Sequence, residues 1–502
     1  MALALPGLVW LLWPVSSPML HRLRTGFVWL WVMGFALDGV VRAYLLHTYQ
    51  AASDSSFIQT AAANTNGREA SEYLSMHWRA MLLWSVALLV AGLVVGRYAG
   101  RGARASMVLP RRAVTSLCMA TLVLGSVGYL IEPWRRLHPA LFWTQWSESV
   151  DKLRAGWADQ QEVRKRALAR ATFTAPTMAQ EGPSTVVLVI TDSVNRDNLA
   201  LYGYQRATTP RLLAQKAQLQ NQLLVVRNAW SVDASTLPSL RNMFLFGLPP
   251  TENPQHVLAL ARAAGYKVWW MSNHDDIAIA QQHGMLADVL KSVNRTPGRA
   301  GASLDGELLD DVQQALEDSA ERKLIVVHLM GAHPHYSLRF PEGANPFDEQ
   351  IDEVEESLEG SGRPAWVRRL RHEYDAALLY QDFVVSETLE MTRKVGPVDG
   401  YRAWMYLSDH GQEVGHVGNY AGHSRSTASG YRIPTVIWHN SETEAYRPGM
   451  GGRPFRTDWA GWTIADLLKI HWTGDATDRN VLADNYRWQA PTLPVQVESF
   501  ED

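Results

Sequence analysis

Four residues in the C-terminal two-thirds of the chain have the types needed to activate an oxygen nucleophile: Asp192, Thr236, Asp409 and His410. A threonine hydroxyl is a weak nucleophile at neutral pH and must be deprotonated or coordinated before it can attack phosphorus. A divalent cation held by Asp192, Asp409 and His410, with Thr236 Oγ in the remaining position, supplies that activation as Lewis acid and alkoxide generator. Mixed carboxylate and imidazole ligands suit zinc first and manganese second. Taken singly each residue has an ordinary explanation, since an Asp after a strand often caps a helix and Asp-His-Gly is a common turn. The ordered combination is what points to chemistry. Further imidazoles follow, His333 and His335 in HisLeuMetGlyAlaHisProHisTyr and then His416 and His423 beyond the Asp-His-Gly turn. Near a metal such groups bind a second ion, protonate a leaving group or hold a phosphoryl oxygen. His333 and His423 rank ahead of His416, with His335 last; His328 lies inside an apolar run and reads as a core histidine.

Strands must present these groups. The run from Val186 to Thr191 is aliphatic, β-branched and too short to span a bilayer, so it reads as a buried parallel strand ending on Asp192. That end is where open α/β sheets place their ligands. Asp409 follows a similar run, TrpMetTyrLeuSer, and Thr236 lies in the hydroxyl-rich turn SerThrLeuProSer. Strand-like runs recur at 223–230, 267–271, 324–329, 404–407 and 435–438, with helix-like segments at 211–220, 255–264, 305–319 and 369–395. This alternation predicts a mostly parallel sheet with helices on both faces. Residues 348–362 are acidic, end in glycine and read as a loop. The net charge of −3, with no basic stripe, gives no footing for a nucleic-acid partner. The single cysteine, Cys118, excludes an intrachain disulfide.

The N-terminal third differs in kind. Apolar segments at 27–46, 81–95 and 113–131 read as membrane spans, and 2–20, broken by Pro6, Pro14 and Pro18, reads as a further span or a poor signal peptide whose positive charge follows the apolar run instead of preceding it; many of the 20 tryptophans fall near these segments. Arg97, Arg101, Arg104, Arg111 and Arg112 lie between 81–95 and 113–131 and His21 to Arg24 follows 2–20, so the positive-inside rule puts both clusters in the cytoplasm. The loop 47–79 and everything after 131 are then outside. The predicted organisation is a transmembrane helical domain at 1–131, a bridging helix (147–171) and linker at 132–183, and a catalytic domain at 184–502. Within the outer loop, Thr65 and Glu69 could face a lipid headgroup from a polar surface helix, or belong to a solvated connector.

Taken in order, the acid-ended strand, LeuTyrGlyTyrGlnArgAlaThrThrProArg, the Thr before a Pro-Ser turn, HisLeuMetGlyAlaHisProHisTyr, TyrAspAlaAlaLeuLeuTyrGlnAspPheVal and SerAspHisGlyGlnGlu resemble the membrane-bound phosphoethanolamine transferases of Gram-negative envelopes. These belong to the alkaline phosphatase and sulfatase superfamily, whose fold is an α/β/α sandwich. The resemblance implies Thr236 as nucleophile, zinc on Asp192, Thr236, Asp409 and His410, and a second zinc or the donor phosphate near His333 and His423, with His416 as a further candidate. It also implies donor-lipid contacts at Thr65 and Glu69, phosphatidylethanolamine as donor, and lipopolysaccharide (core sugar or lipid A) or another envelope glycan as acceptor. The expected location is the bacterial inner membrane, multi-pass, with the catalytic domain in the periplasm. GluValGlyHis through AlaGlyHisSer resembles the branch that modifies lipopolysaccharide core sugars. The chain departs from the family in four ways. Asp192 stands where the family usually has glutamate. ThrLeuProSer is spaced like a sulfatase nucleophile turn, which keeps Ser235 open as the nucleophile. The cysteine pairs of lipid A-modifying relatives are missing, and the sequence starts at the family's second span. Three other readings share the residues: a sulfatase, a phosphoglycerol transferase, and a lipid-binding envelope sensor without turnover. Thr236 cannot become a formylglycine, although Ser235 in principle could, and a sensor has no need of the four-residue set.

Overall fold

The computed structural model describes residue 4 and residues 17–49, 51–65, 67–105, 111–130, 137–158, 160–246, 255–274, 276–293, 303–396, 400–441 and 446–500. The chain divides into two compact units, residues 1–155 and 156–502.

In the first unit, helix α1 (Pro18–Tyr49) contains the expected span at 27–46 and, among the described residues, is the one unbroken helix long and apolar enough to cross a membrane. Helix α2 (Ser56–Asn64) is short, with Ser55 Oγ accepting from the N–H of Ile58 at its start. Helix α3 (Gly67–Ala105) bends by 72° between Glu69–Arg79 and Met81–Arg97, so the expected span at 81–95 is one limb of a bent pair that makes a second crossing only if both limbs count together. Helix α4 (Arg111–Leu130) carries the third expected span, but its apolar part, Thr115–Gly125, is too short to qualify. The three-span expectation thus reduces to one clear span, because α3 bends and small polar residues dilute α4. The segment 2–20 lies almost wholly outside the described residues. Leu83, Leu89 and Leu93 of α3 and Leu117, Val123 and Leu124 of α4 are exposed, an apolar surface that water disfavours.

Helix α5 (Pro139–Ala158) is tied within the first unit by indole hydrogen bonds, Trp143 Nε1 to Asp38 Oδ1 at 2.9 Å and Trp146 Nε1 to the Ser53 carbonyl at 2.7 Å. The guanidinium of Arg154 donates to the carbonyls of Ala62 and Ala63, both at 3.0 Å, where α2 leaves its last carbonyls open. The single helix expected at 147–171 is two: α5 stops just after Gly156, a weak helix former, and α6 (Gln161–Phe173) begins anew. Ala167 and Ala171 of α6 are buried in the core of the second unit.

That core surrounds a seven-stranded sheet. Its strands are β1 (Ser184–Thr191), β2 (Leu223–Val225), β3 (Lys267–Ser272), β4 (Val289–Ser292), β5 (Arg322–Leu329), β6 (Tyr401–Ser408) and β7 (Thr435–His439), in the spatial order β2-β7-β6-β1-β5-β3-β4. Strand β7 runs antiparallel to both β6 and β2, so the sheet is mixed, with β7 alone reversed. All eight residues of β1 are buried, because the sheet is covered on both faces. Val186, Leu188 and Ile190 pack with helices α8 (Thr236–Phe244), α9 (Val257–Ala263) and α12 (Ala460–Leu467). Val187 and Val189 point the other way, toward α7 (Pro210–Leu219), α10 (Leu309–Leu316) and α11 (Ala365–Lys394). The result is three layers, helix, sheet and helix.

Two local expectations change. The run 223–230 is interrupted, since Ala229–Trp230 leaves the main sheet to pair with Phe455–Arg456. The acidic loop 348–362 holds a helix, Glu353–Gly360, because Asp352 accepts from the N–H of Glu355 at its start while Val354 and Leu358 find buried positions.

Candidate active site

Register brings the chemistry to one edge. Thr191 pairs with Leu329 on one side and Ser408 on the other, and Ser272 lies beside His328, so parallel strands β6, β1, β5 and β3 end side by side. Asp192, the Asp409-His410 pair, His333 and His274 are what those ends deliver. The turn after β1 leaves no room for a side chain on its neighbour: a Cβ on Gly331 would fall 2.3 Å from the Asp192 carbonyl oxygen, and Gly331 has φ +61°.

Thr236 enters as the first residue of α8, with Ser235 at the N-cap. Its Oγ1 donates to Asp192 Oδ2 at 2.9 Å and lies 3.5 Å from His410 Nε2. The helix N-terminus adds a field that favours a developing alkoxide or a bound phosphoryl oxygen. Ser235 turns away, its hydroxyl donating to Asp233 Oδ1 at 3.0 Å. Of these two neighbours, Thr236 is the one whose hydroxyl is aimed into the cluster.

His410 donates from Nδ1 to the Gly411 carbonyl at 2.7 Å, which leaves the lone pair on Nε2. That nitrogen is 3.7 Å from Asp192 Oδ1 and 3.6 Å from Asp409 Oδ2. Asp409 Oδ1 accepts from the N–H groups of His410 at 2.6 Å and Ser193 at 3.1 Å, while Asp409 Oδ2 is buried without a hydrogen-bond partner. A buried carboxylate oxygen left bare is costly unless a cation meets it.

The electrostatics agree. Burial alone would raise the Asp192 carboxyl, but His333, His410, His274 and His423 outweigh it and hold the group well below the usual carboxylate range. Asp409 is pushed up to about 7, first by burial and then by the charge of Asp192. For His410, burial favours the neutral ring, yet Asp409 and Asp192 together raise its pKa. Two carboxylates facing one point repel until a positive charge lies between them. Ligand atoms of Asp192, His410 and His423 all lie within 4.8 Å of one another. Two carboxylates, an unprotonated imidazole nitrogen and a hydroxyl are a donor set that fits a divalent metal.

The outer imidazoles extend the cluster. His423 stands edge-on to His410 with ring centroids 4.7 Å apart, and His333 lies 5.8 Å from His423 with its Nδ1 buried and unpartnered. His416, grouped with them on sequence, lies apart. Its Nε2 is 2.8 Å from Asn198 Oδ1 and its Nδ1 accepts from the N–H of Val414 at 3.3 Å, so both nitrogens are already used. His335 sits at φ +68° with Nδ1 beside Ser337 Oγ, and His328 is buried with Nδ1 3.0 Å from Ser272 Oγ.

Two residues of the site were not singled out from sequence. His274 Nε2 is 3.9 Å from Asp192 Oδ2 and donates to the Leu329 carbonyl at 3.1 Å; its position just past β3 is the same strand-end signal that marked Asp192. Ser193 contacts Asp192, Asp409 and His423, and a serine after an aspartate carries no sequence signature. Thr65 and Glu69 belong to the first unit. Thr65 caps α2, its hydroxyl donating to the Ala61 carbonyl at 2.8 Å, and Glu69 is in the first turn of α3.

Phosphoethanolamine transferase EptC of Escherichia coli is 30% identical over 303 residues, 57% of this chain and 50% of its own length. Phosphoethanolamine transferase CptA of Salmonella typhimurium is 28% identical over 284 residues, 53% of this chain and 47% of its own length. The chain thus spans about half the length of the curated relatives it matches. The crystal structure of the C-terminal periplasmic domain of Escherichia coli EptC in complex with Zn superposes with a TM-score of 0.55 at 25% identity, covering 62% of this chain and 90% of that one. The integral membrane lipooligosaccharide phosphoethanolamine transferase A of Neisseria meningitidis shares the fold over 96% of this chain and 95% of its own, with a TM-score of 0.59 at 17% identity. Residues 184–466, more than half of the chain and the whole of the site just described, match the sulfatase family, to which this protein belongs.

Proposed function

We propose that the protein is a membrane-bound phosphoethanolamine transferase, taking the group from phosphatidylethanolamine and passing it through Thr236 to lipopolysaccharide or another envelope glycan. The observation that carries this reading is the Thr236 hydroxyl at a helix N-terminus, 2.9 Å from Asp192 within a cluster of carboxylates and imidazoles. The similarity to named phosphoethanolamine transferases supplies the group transferred.

Asp192, Asp409 and His410 would hold zinc together with the Thr236 oxygen, and the ion supplies Lewis acidity and a lowered hydroxyl pKa there. Thr236 gives up its proton toward Asp192, and its Oγ forms a bond to phosphorus as the bond to the diacylglycerol oxygen breaks. The departing oxygen takes a proton from His333 or His423 at the edge of the cluster, each of which must first gain that proton because burial holds the ring neutral in the empty site. A phosphoethanolamine–threonine intermediate remains. An acceptor hydroxyl then attacks phosphorus and passes its proton to the imidazole that protonated the diacylglycerol oxygen, while the bond to Thr236 breaks and the threonine takes its proton back from Asp192. Thr65 and Glu69 are assigned to the donor headgroup, and α1, α3 and α4 to a multi-pass anchor in the inner membrane with the catalytic domain in the periplasm.

The test is the mass of the peptide carrying Thr236 after incubation of the full chain with phosphatidylethanolamine vesicles and no acceptor. A phosphoethanolamine adduct on that peptide, absent in Thr236→Ala, is expected. An unmodified peptide from zinc-loaded protein rejects the reading, and an adduct of phosphoglycerol mass from mixed-lipid vesicles replaces the donor.

A further inference from the structure

Ser193 touches three members of the cluster at once. Its Oγ donates to Asp192 Oδ1 at 2.6 Å and lies 3.1 Å from His423 Nε2, and its N–H donates to Asp409 Oδ1 at 3.1 Å. An ionised carboxylate only accepts, so the single hydroxyl proton of Ser193 goes to Asp192. Ser193 Oγ must then accept from His423 Nε2–H. The bonds form one oriented chain: His423 to Ser193, Ser193 to Oδ1 of Asp192, and Thr236 to Oδ2 of the same carboxylate at 2.9 Å. One serine hydroxyl therefore fixes both the rotamer of Asp192 and the tautomer of His423.

The backbone argues that the side chain is there for its hydroxyl. Ser193 has φ +63°, a region that side chains other than glycine enter at a cost. A turn that needed only this conformation would favour glycine. The conformation is held from several sides: Tyr374 Oη donates to the Ser193 carbonyl at 2.8 Å and accepts from the N–H of Asn195 at 2.9 Å, and Ser408 Oγ accepts from the N–H of Val194 at 3.0 Å. Ser193 is itself fully buried.

We propose that Ser193 is a positioning residue for the metal, holding Asp192 with one oxygen toward Thr236 and keeping His423 as a hydrogen-bond donor on the side facing the cluster. The proposal rests on the metal reading of the site but on neither lipid. Partners of this kind, which orient a ligand without binding the ion, govern metal affinity as well as rate.

The experiment measures zinc affinity of the full chain in detergent micelles, by competition with a chromophoric chelator, alongside the thermal midpoint of the zinc-free protein. Ser193→Gly removes the hydroxyl and leaves a residue at ease in the turn; Ser193→Ala removes it and keeps the strain. Both variants are expected to bind zinc about 10- to 100-fold more weakly, with the Ser193→Gly midpoint no lower than wild type. Affinity within twofold of wild type in both, or a loss confined to Ser193→Ala, overturns the role of Ser193 and leaves the metal centre standing. A wild-type chain that binds no zinc overturns both. Because no donor or acceptor lipid is present, none of these outcomes depends on the transferase reading.

Discussion

The Thr236 hydroxyl donates to Oδ2 of Asp192, a residue 44 positions earlier, across 2.9 Å. One sits at the end of a central strand and the other opens a helix, so the pairing of hydroxyl and carboxylate is built by the fold and not by a local motif. Asp192→Asn keeps the volume of a fully buried side chain while removing its charge. The variant is expected to fold, to lose zinc affinity by at least 100-fold, and to form no detectable Thr236 adduct. Retention of either property would separate Asp192 from the chemistry.

With zinc held as proposed, Asp409 should set the pH dependence of its binding. Burial and the charge of Asp192 push it up to about 7 in the metal-free protein, above its ordinary value near 4. An acid raised on folding contributes stability that is full below the unfolded value and is lost as pH climbs through the folded one. Its contribution to the metal-free protein therefore falls between about pH 4 and 7. Zinc must displace that proton, so affinity should drop about tenfold for each pH unit below 7. Titrations at pH 5.5, 6.5 and 7.5 check this, and a flat profile contradicts it. The rise in thermal midpoint on adding zinc should correspondingly be larger at pH 7.5 than at pH 5.5.

Gly331 is a packing requirement of the same turn. An added methyl would fall 2.3 Å from the Asp192 carbonyl oxygen and 2.6 Å from its nitrogen, at a backbone φ of +61°. Neither neighbour is a flexible side chain, so the turn itself must move. Gly331→Ala should cost about 2–4 kcal/mol of stability and weaken zinc binding as well. Chemical denaturation of the zinc-free protein measures the first effect, and an unchanged midpoint would show that the strand end can relax.

Much of this site could be read from sequence because strand ends leave a mark. An aliphatic run stopping at Asp192, and another at Asp409 and His410, say where a parallel sheet exposes its ligands. His274 lies past β3 under the same rule and was missed because one imidazole in an otherwise uninformative stretch has no partner nearby in sequence. His416 is the reverse case. It sits among site residues along the chain, yet its ring is engaged by Asn198, 218 positions away. The reversal of β7 was hidden as well, since direction depends on which neighbours a strand pairs with and its apolar pattern is the same either way. In the first unit, composition marked apolar segments that fall on α1, one limb of α3 and part of α4, but could not show that α3 bends.

His416 gives a direct check on that distinction. With Nδ1 accepting from Val414 and Nε2 facing Asn198, its ring braces the loop that leads to His423. His416→Ala should lower stability by about 1–3 kcal/mol through the partners left unsatisfied, while zinc affinity stays within a few-fold of wild type. A loss as large as that of Asp192→Asn would return His416 to the metal centre.

In the first unit, Asp38 and Arg42 form an ion pair one turn apart on α1, with Nε 2.8 Å from Oδ1. The same carboxylate oxygen accepts from Trp143 Nε1 at 2.9 Å, and the guanidinium carbon of Arg42 lies 3.6 Å from the centre of the Phe142 ring. One carboxylate thus compensates the arginine in an apolar helix and fastens α5 to it. Asp38→Leu should cost about 3–5 kcal/mol, because it strands a partly buried guanidinium and an indole N–H together. Arg42→Leu should cost less, since Asp38 keeps the indole. If the pair matters as a pair, the double variant lies closer to Arg42→Leu than the sum of the single losses allows, by about 2 kcal/mol or more. Thermal unfolding in detergent, followed by tryptophan fluorescence, closes the cycle, and strictly additive losses would mean that α5 is held by its aromatic contacts and not by the charge.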